Sequence, residues 1–206
     1  MNGRIFGYQP GEGPYSCSGT SLATTSGSTV LTAGHCLYEG GAWGRDLVFV
    51  PAYDHGRRPF GTFFALFAYA MPRWLAFENS NYDVGALRVA PLAGRTLAAT
   101  VGALPWTSGR SRQAALAIFG YPAGGLEGEE LRECESVGLG SDPHAVIPGT
   151  PTMPAPCAMG GGSSGGAWLL GGAIDGVTSY GYSGQPERLY SPYFGAAVAH
   201  FLSGLK

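Results

Sequence analysis

The sequence predicts an all-β protein, and three observations predict it. The 35 glycines and 15 prolines are spread along the 206 residues instead of gathered in one tract, as suits short strands joined by tight turns. Short strand-like segments recur from end to end. A helix start signal is clear at one place, near the C-terminus. Apolar residues make up 45% and charged residues 13%, enough for a core and too few charges for a disordered tail. The length accommodates one large β unit or two small lobes.

Taken in order, Ile5-Phe6 opens the first strand. Ser28–Leu31, Leu47–Val50 and Val84–Val89 follow, then Ala114–Phe119, Leu131–Val137, Ala167–Leu170 and Ala173–Ser179. Gly171-Gly172 between the last two reads as a hairpin turn. Phe60–Met71 is apolar, and periodicity leaves a strand pair and a short buried helix both open. Ser191–Leu202 is the helix candidate, about 191–203 at its widest, with Ser191 as N-cap and Pro192 in the first turn. Leu104-Pro105-Trp106-Thr107-Ser108-Gly109 is the expected linker, dividing the chain into 1–105 and 106–206. No internal repeat is evident.

A net charge of −2 gives no support to nucleic-acid or anionic-membrane binding, and no apolar run approaches the length of a membrane-spanning helix. His55, His144 and His200 are scattered without ligand spacing and read as surface or loop residues. The acidic stretch Glu127-Gly128-Glu129-Glu130 reads as a solvated loop. No metal or cofactor is expected.

Three segments carry chemistry. Leu31-Thr32-Ala33-Gly34-His35-Cys36 closes a strand-like run with a small-residue turn that presents a histidine. Asn81-Tyr82-Asp83-Val84-Gly85-Ala86-Leu87 sets an acid at the mouth of an apolar run that can bury the carboxylate edge. Gly162-Ser163-Ser164-Gly165-Gly166 surrounds a serine with glycines, where backbone N–H groups can approach a reacting carbonyl. A serine hydroxyl is a poor nucleophile until a neutral imidazole takes its proton, and a buried carboxylate fixes the imidazole tautomer. His35, Asp83 and Ser164 are the candidates for these roles. Gly162 and Ser164 would supply the oxyanion-hole N–H groups. Asp46 and Asp54 also lie between the histidine and the serine, and Asp54 is the second choice for the acid.

The order His, Asp, Ser is that of the chymotrypsin-type triad. On these motifs the chain resembles bacterial secreted chymotrypsin-fold serine proteases, nearest in pattern to the branch of the glutamyl (V8-like) endopeptidases. The family pattern D-[IV]-[AG]-x-L falls on Asp83–Leu87. The resemblance implies two six-stranded antiparallel β-barrels, His35 and Asp83 on the first and Ser164 on the second, and a protein or peptide substrate cleaved through an acyl-enzyme. It is sharp only around these three residues. An esterase would carry its serine elbow before the acid and histidine, the reverse of this order. A catalytically silent binding protein on the same fold is the other alternative.

Four cysteines allow three pairings. Cys17–Cys36 and Cys134–Cys157 are the pairs expected here, each closing a loop of roughly twenty residues worth about 3 kcal/mol at most. Disulfides imply an oxidising compartment, hence secretion. No signal peptide is visible, so the chain is expected to begin at or near a mature terminus, with Met1 an added initiator. A monomer is expected.

The resemblance also frames substrate choice. Ser163 stands where the family usually has Asp or Asn before the nucleophile. A charge pair between that acid and a new N-terminal amine is therefore excluded, although Arg4-Ile5-Phe6-Gly7 superficially resembles a cleavage site. Ala158, Met159 and Thr178 belong to the expected specificity pocket, and Ser179-Tyr180-Gly181 to the edge that pairs with substrate backbone. Ala158 replaces the Asp of trypsin-like members. Met159 and Thr178 replace the Thr and His of glutamate-specific ones. A mostly apolar pocket with an uncharged P1 preference is expected, Met159 limiting its depth, with glutamyl specificity as the alternative.

Overall fold

The structure is a computed structural model, and it describes residues 1–123, 128–145 and 147–206. In chain order its first strands are β1 (Asn2–Gln9), β2 (Gly13–Leu22), β3 (Thr29–Thr32), a small hairpin β4 (Tyr38–Glu39) and β5 (Ala42–Trp43), β6 (Arg45–Pro51), β7 (Phe63–Ala70) and β8 (Gly85–Val89). Six of them close a barrel in the order β1-β2-β3-β8-β7-β6, completed by antiparallel pairing of β1 with β6. Ile5, Val30, Phe49, Phe63, Leu87 and Val89 point inward and fill it. Each side chain buried in this way contributes about 1.5–3 kcal/mol.

The second set is β9 (Ala115–Gly120), β10 (Arg132–Val137), β11 (Met153–Pro156), β12 (Ala167–Leu170), β13 (Ala173–Val177) and β14 (Arg188–Ser191). Four of these form a sheet ordered β10-β9-β12-β13, while β11 pairs with β14. The two sheets join into a barrel-like wall at both seams. At one seam Ser179 N–H donates to the Tyr190 carbonyl and Val177 N–H to Ser191 Oγ. At the other, Leu139 N–H donates to the Pro154 carbonyl and the Cys134–Cys157 disulfide ties β10 to the residue after β11. Trp168, fully buried, packs with Ile118, Met153 and Leu189 at the centre.

A third apolar cluster lies between the two walls, drawing Leu22, Leu31, Trp74 and Val84 from one side and Ile174, Val177, Phe194 and Val198 from the other. The connecting segment is stitched to both. Leu104 exchanges backbone hydrogen bonds with Ser21 and Ala23, and Ile174 exchanges them with Pro105 and Thr107.

The strand expectations fall on β3, β6, β8, β9, β10, β12 and β13, with ends shifted by a residue or two. Gly171 and Gly172 form the turn between β12 and β13, both with positive φ (57° and 84°), as a tight hairpin of this hand requires. The helix is a correction. It spans Ala196–Ser203 (α3), and Gly195 is its N-cap. Ser191 is instead the last residue of β14, paired with Met153, because its hydroxyl is taken up by the backbone of Val177 and Pro192. Two short helices, α1 (Pro72–Phe77) and α2 (Leu97–Val101), lie outside the elements expected from the sequence. Phe60–Met71 resolves into β7, whose outer face exposes Phe64, Leu66 and Phe67, followed by α1 with Pro72 in its first turn.

Candidate active site

His35 follows the end of β3 through Ala33-Gly34. A side chain at Gly34 would put its Cβ 2.7 Å from the Trp74 ring and 2.9 Å from Asp83 Oδ1, so the turn must be glycine for the acid and base to meet. Asp83 ends a single 3-10 turn, Ser80–Tyr82, just before β8, and is 1% exposed. Burying a carboxylate is costly unless donors surround it. Asp83 has three: His35 Nδ1 at 2.7 Å from Oδ2, His35 N–H at 2.7 Å from Oδ1, and Ser179 Oγ at 2.5 Å from Oδ2. Trp74 stands edge-on to the imidazole, with ring centroids 6.2 Å apart.

Two opposing effects set the His35 pKa. Burial acts to lower it, while the charge and hydrogen bond of Asp83, helped by Glu39, raise it, and the net direction is upward from 6.5. Asp54 does not compete for His35. It is a surface group held by the His55 ring, at 2.7 Å, and by Arg57.

Ser164 and His35 line the same cleft of about 260 Å³, with Tyr15 and Cys17 on its other wall. The turn that carries Ser164 is held through its carbonyls. Gly161 O accepts from Ala123 N–H at 2.6 Å, Ser163 O from Gly166 N–H at 2.9 Å, and Ser164 O from Ser18 N–H at 2.7 Å. A peptide's N–H points opposite to its C=O. Fixing the carbonyls of Gly161 and Ser163 therefore aims the N–H groups of Gly162 and Ser164 the other way, and neither donates to another protein group among the described residues. Gly162 has φ +86°, and a Cβ there would lie 2.5 Å from the Tyr121 carbonyl, so its glycine identity is a steric demand. Ser163 is buried, its Oγ donating to Gly160 O at 2.7 Å. The position lacks the usual acid and holds its own loop instead.

A second cleft of about 340 Å³ opens beside Ser164, lined by Met159, Thr178, Ser179, Tyr180 and Gly181. Met159 does two jobs, packing against Cys157 and Leu189 while facing the cleft. Ala158 is exposed and outside that lining, since buried Met159 takes the inward position next to it. Arg188, not among the residues expected there, forms part of this wall and is the one charged side chain among its described lining residues. A third cleft of about 490 Å³ lies on the other side of His35 and is lined by Trp74, His144, Ile147, Tyr180 and Tyr182. His144 is an exposed turn residue, as expected, and it also lines this cleft. In the acidic loop, partly exposed Glu129 is engaged by Arg4 at 2.8 Å and by the Tyr53 hydroxyl, while Glu127 lies outside the described residues.

Both expected disulfides are present, Cys17–Cys36 and Cys134–Cys157. Among the described residues, the one group of side chains close enough to share a metal is Cys17, His35 and Cys36. Its two sulfurs are bonded to each other and offer no thiolate.

A closed β-barrel, a second barrel-like wall and a histidine–carboxylate pair sharing a cleft with a serine define a chymotrypsin-type fold. The trypsin family matches residues 7–203, and the chain belongs to that family. It is similar to the protease Anisep from Arthrobacter nicotinovorans (38% identity, TM-score 0.89, 97% of this chain and 92% of that one). It is also similar to the thermostable serine protease AL20 from an extremophilic microorganism (34%, 0.89, 97% and 93%). A Glu endopeptidase shares the fold at 22% identity and a TM-score of 0.74, covering 97% of this chain and 88% of that one. A curated relative, an extracellular metalloprotease of Bacillus subtilis (strain 168), is 30% identical over 84 residues. That match takes in 40% of this chain, which spans about a quarter (26%) of that protein's length.

Proposed function

We propose that this chain is a secreted serine endopeptidase acting through Ser164, His35 and Asp83, divided near residue 105 into a lobe carrying the base and acid and a lobe carrying the nucleophile. The observation that carries the reading is the buried Asp83 bonded to His35 Nδ1, with His35 and Ser164 on one cleft. With Nδ1–H held by Asp83, Nε2 is the basic nitrogen. It takes the Ser164 proton as Oγ bonds to the substrate carbonyl carbon, then gives that proton to the leaving amine as the C–N bond breaks. Gly162 and Ser164 N–H groups stabilise the oxyanion, a contribution of about 3–4 kcal/mol per donor. Water then repeats the sequence on the acyl-enzyme and releases the acid. The two disulfides support an oxidising compartment. No nucleic acid, membrane or cofactor enters the reading, and the acting species is a monomer.

For P1, the lack of a carboxylate among the described lining residues and the presence of Met159 and Leu189 support an uncharged side chain. Arg188 favours a second reading, a P1 carboxylate. It lies on the same β14 face as Tyr190, and Gln185 Oε1 accepts from both, at 3.4 Å and 2.8 Å.

Hydrolysis of an unfolded protein by wild type and by Ser164→Ala tests the activity, and equal rates for the two would end it. A P1-varied peptide series separates the specificities. Leu, Phe or Ala ahead of Glu supports the apolar pocket. Glu ahead of Gln, reversed in Arg188→Gln, supports the second reading.

A further inference from the structure

Ser18, in the first barrel, is 2% exposed and touches the nucleophile turn at two places. Its N–H donates to the Ser164 carbonyl at 2.7 Å. Its Oγ lies 2.8 Å from the Gly162 carbonyl and 2.8 Å from Tyr121 N. The direction of these bonds is fixed by chemistry. A backbone N–H can only donate, so Oγ accepts from Tyr121 and its single proton goes to Gly162 O. Any other orientation of the hydroxyl would leave the half-buried Gly162 carbonyl without this donor. Thr32 Oγ1 in turn donates to Ser18 O at 2.8 Å, so Ser18 is anchored in its own barrel.

Gly162 is the residue that most needs holding. Its φ of +86° is open to glycine, and glycine has many other conformations to fall into. The peptide before it is fixed by Ala123 N–H on the Gly161 carbonyl, and the peptide after it by Ser18 Oγ on the Gly162 carbonyl. Ser18 is the side-chain member of this pair of restraints, and it comes from β2 of the first barrel.

We infer that Ser18 is a positioning residue for the oxyanion hole: its hydroxyl bridges Tyr121 N–H to the Gly162 carbonyl and thereby keeps the Gly162 N–H aimed at the reacting carbonyl. The inference rests on the reading of Ser164 as nucleophile and of Gly162 as oxyanion donor. It makes the first barrel a contributor to both halves of catalysis. The neighbouring Cys17, tied to Cys36 beside His35, sets β2 against the base, and Ser18 sets β2 against the turn.

Peptide hydrolysis and inhibition by a peptide aldehyde, which forms a tetrahedral adduct with the serine, test this on Ser18→Ala. Loss of a whole oxyanion donor typically costs about 10²–10³ in kcat, so a misaimed one is expected to cost about tenfold or more. The expected result is that fall in kcat with KM within about threefold, and a parallel loss of aldehyde affinity. Ser18→Thr keeps the hydroxyl and Ser18→Val removes it at constant shape. Thr well above Val in kcat per folded molecule is expected, and makes the comparison even where the alanine variant fails to accumulate. Equal kcat and equal aldehyde affinity in the hydroxyl-bearing and hydroxyl-lacking proteins, with only thermal stability changed, would overturn the proposal. Wild type without turnover or aldehyde binding would instead overturn the endopeptidase reading on which it rests.

Discussion

The two sides of the cleft are held by different kinds of bond. On the His35 side, side chains do the holding: a buried carboxylate receives an imidazole, a backbone N–H and a serine hydroxyl. On the Ser164 side, carbonyls are gripped by backbone N–H groups from Ala123, Gly166 and Ser18, with the Ser18 hydroxyl as an added hook. Side-chain restraints leave a signature in sequence because residue type decides them. Backbone restraints leave almost none beyond the glycines that make room for them.

The largest expected effect breaks the His35 side. Asp83→Asn keeps the shape but presents an amide to Nδ1 and favours the wrong tautomer. A fall in kcat of about 10³–10⁴-fold is expected in steady-state peptide hydrolysis. The same variant sharpens the pH dependence. Catalysis needs neutral His35, and its raised pKa predicts that the acid limb of kcat/KM has its midpoint above 6.5 in wild type. The stability that comes from protonated His35 is complete below 6.5 and is lost as pH rises through the folded pKa, so it moves opposite to activity. A wild-type midpoint at or below 6.5 would contradict the assignment of Asp83 as the dominant partner.

Next in size is the Cys17–Cys36 disulfide, which closes a 19-residue separation between β2 and the histidine turn. Replacing both cysteines by serine is expected to cost about 3 kcal/mol in denaturant unfolding. It should also lower kcat, because Ser18 and His35 adjoin the two ends. The matching change at Cys134 and Cys157, on the far seam, should cost comparable stability with kcat per folded molecule nearly unchanged.

Smaller still is Ser179→Ala. It removes one of three donors to Asp83, and about a tenfold loss in kcat/KM is expected. The smallest is Asp54→Asn. Among the described residues that carboxylate bonds His55 and Arg57 at the surface, and activity should stay within about twofold of wild type. A large loss there would mean that the acid has been misassigned.

Legibility in the sequence follows the same division. His35, Asp83 and Ser164 can be proposed from sequence alone because each sits in a motif whose residue types the proposed chemistry demands. Both disulfides pair cysteines about twenty residues apart, as the sequence spacing led one to expect. Ser18 and Arg188 were not readable in this way, since a serine in a strand and an arginine near a turn look like ordinary residues until the fold brings them to the cleft. The α3 start was misread because Ser-Pro is a good helix opening locally, yet β11 claims Ser191 as a strand partner. Ala158 and Met159 differ by one position, and only packing decides which of the two turns inward.

The most direct test is intact-mass analysis after exposure to a fluorophosphonate, on wild type, Ser164→Ala and Asp83→Asn. A single adduct on wild type, absent in Ser164→Ala and formed far more slowly in Asp83→Asn, is the expected result. It would establish a serine activated by the His35–Asp83 pair. An adduct that persists in Ser164→Ala, or no adduct on folded wild type, would contradict the account.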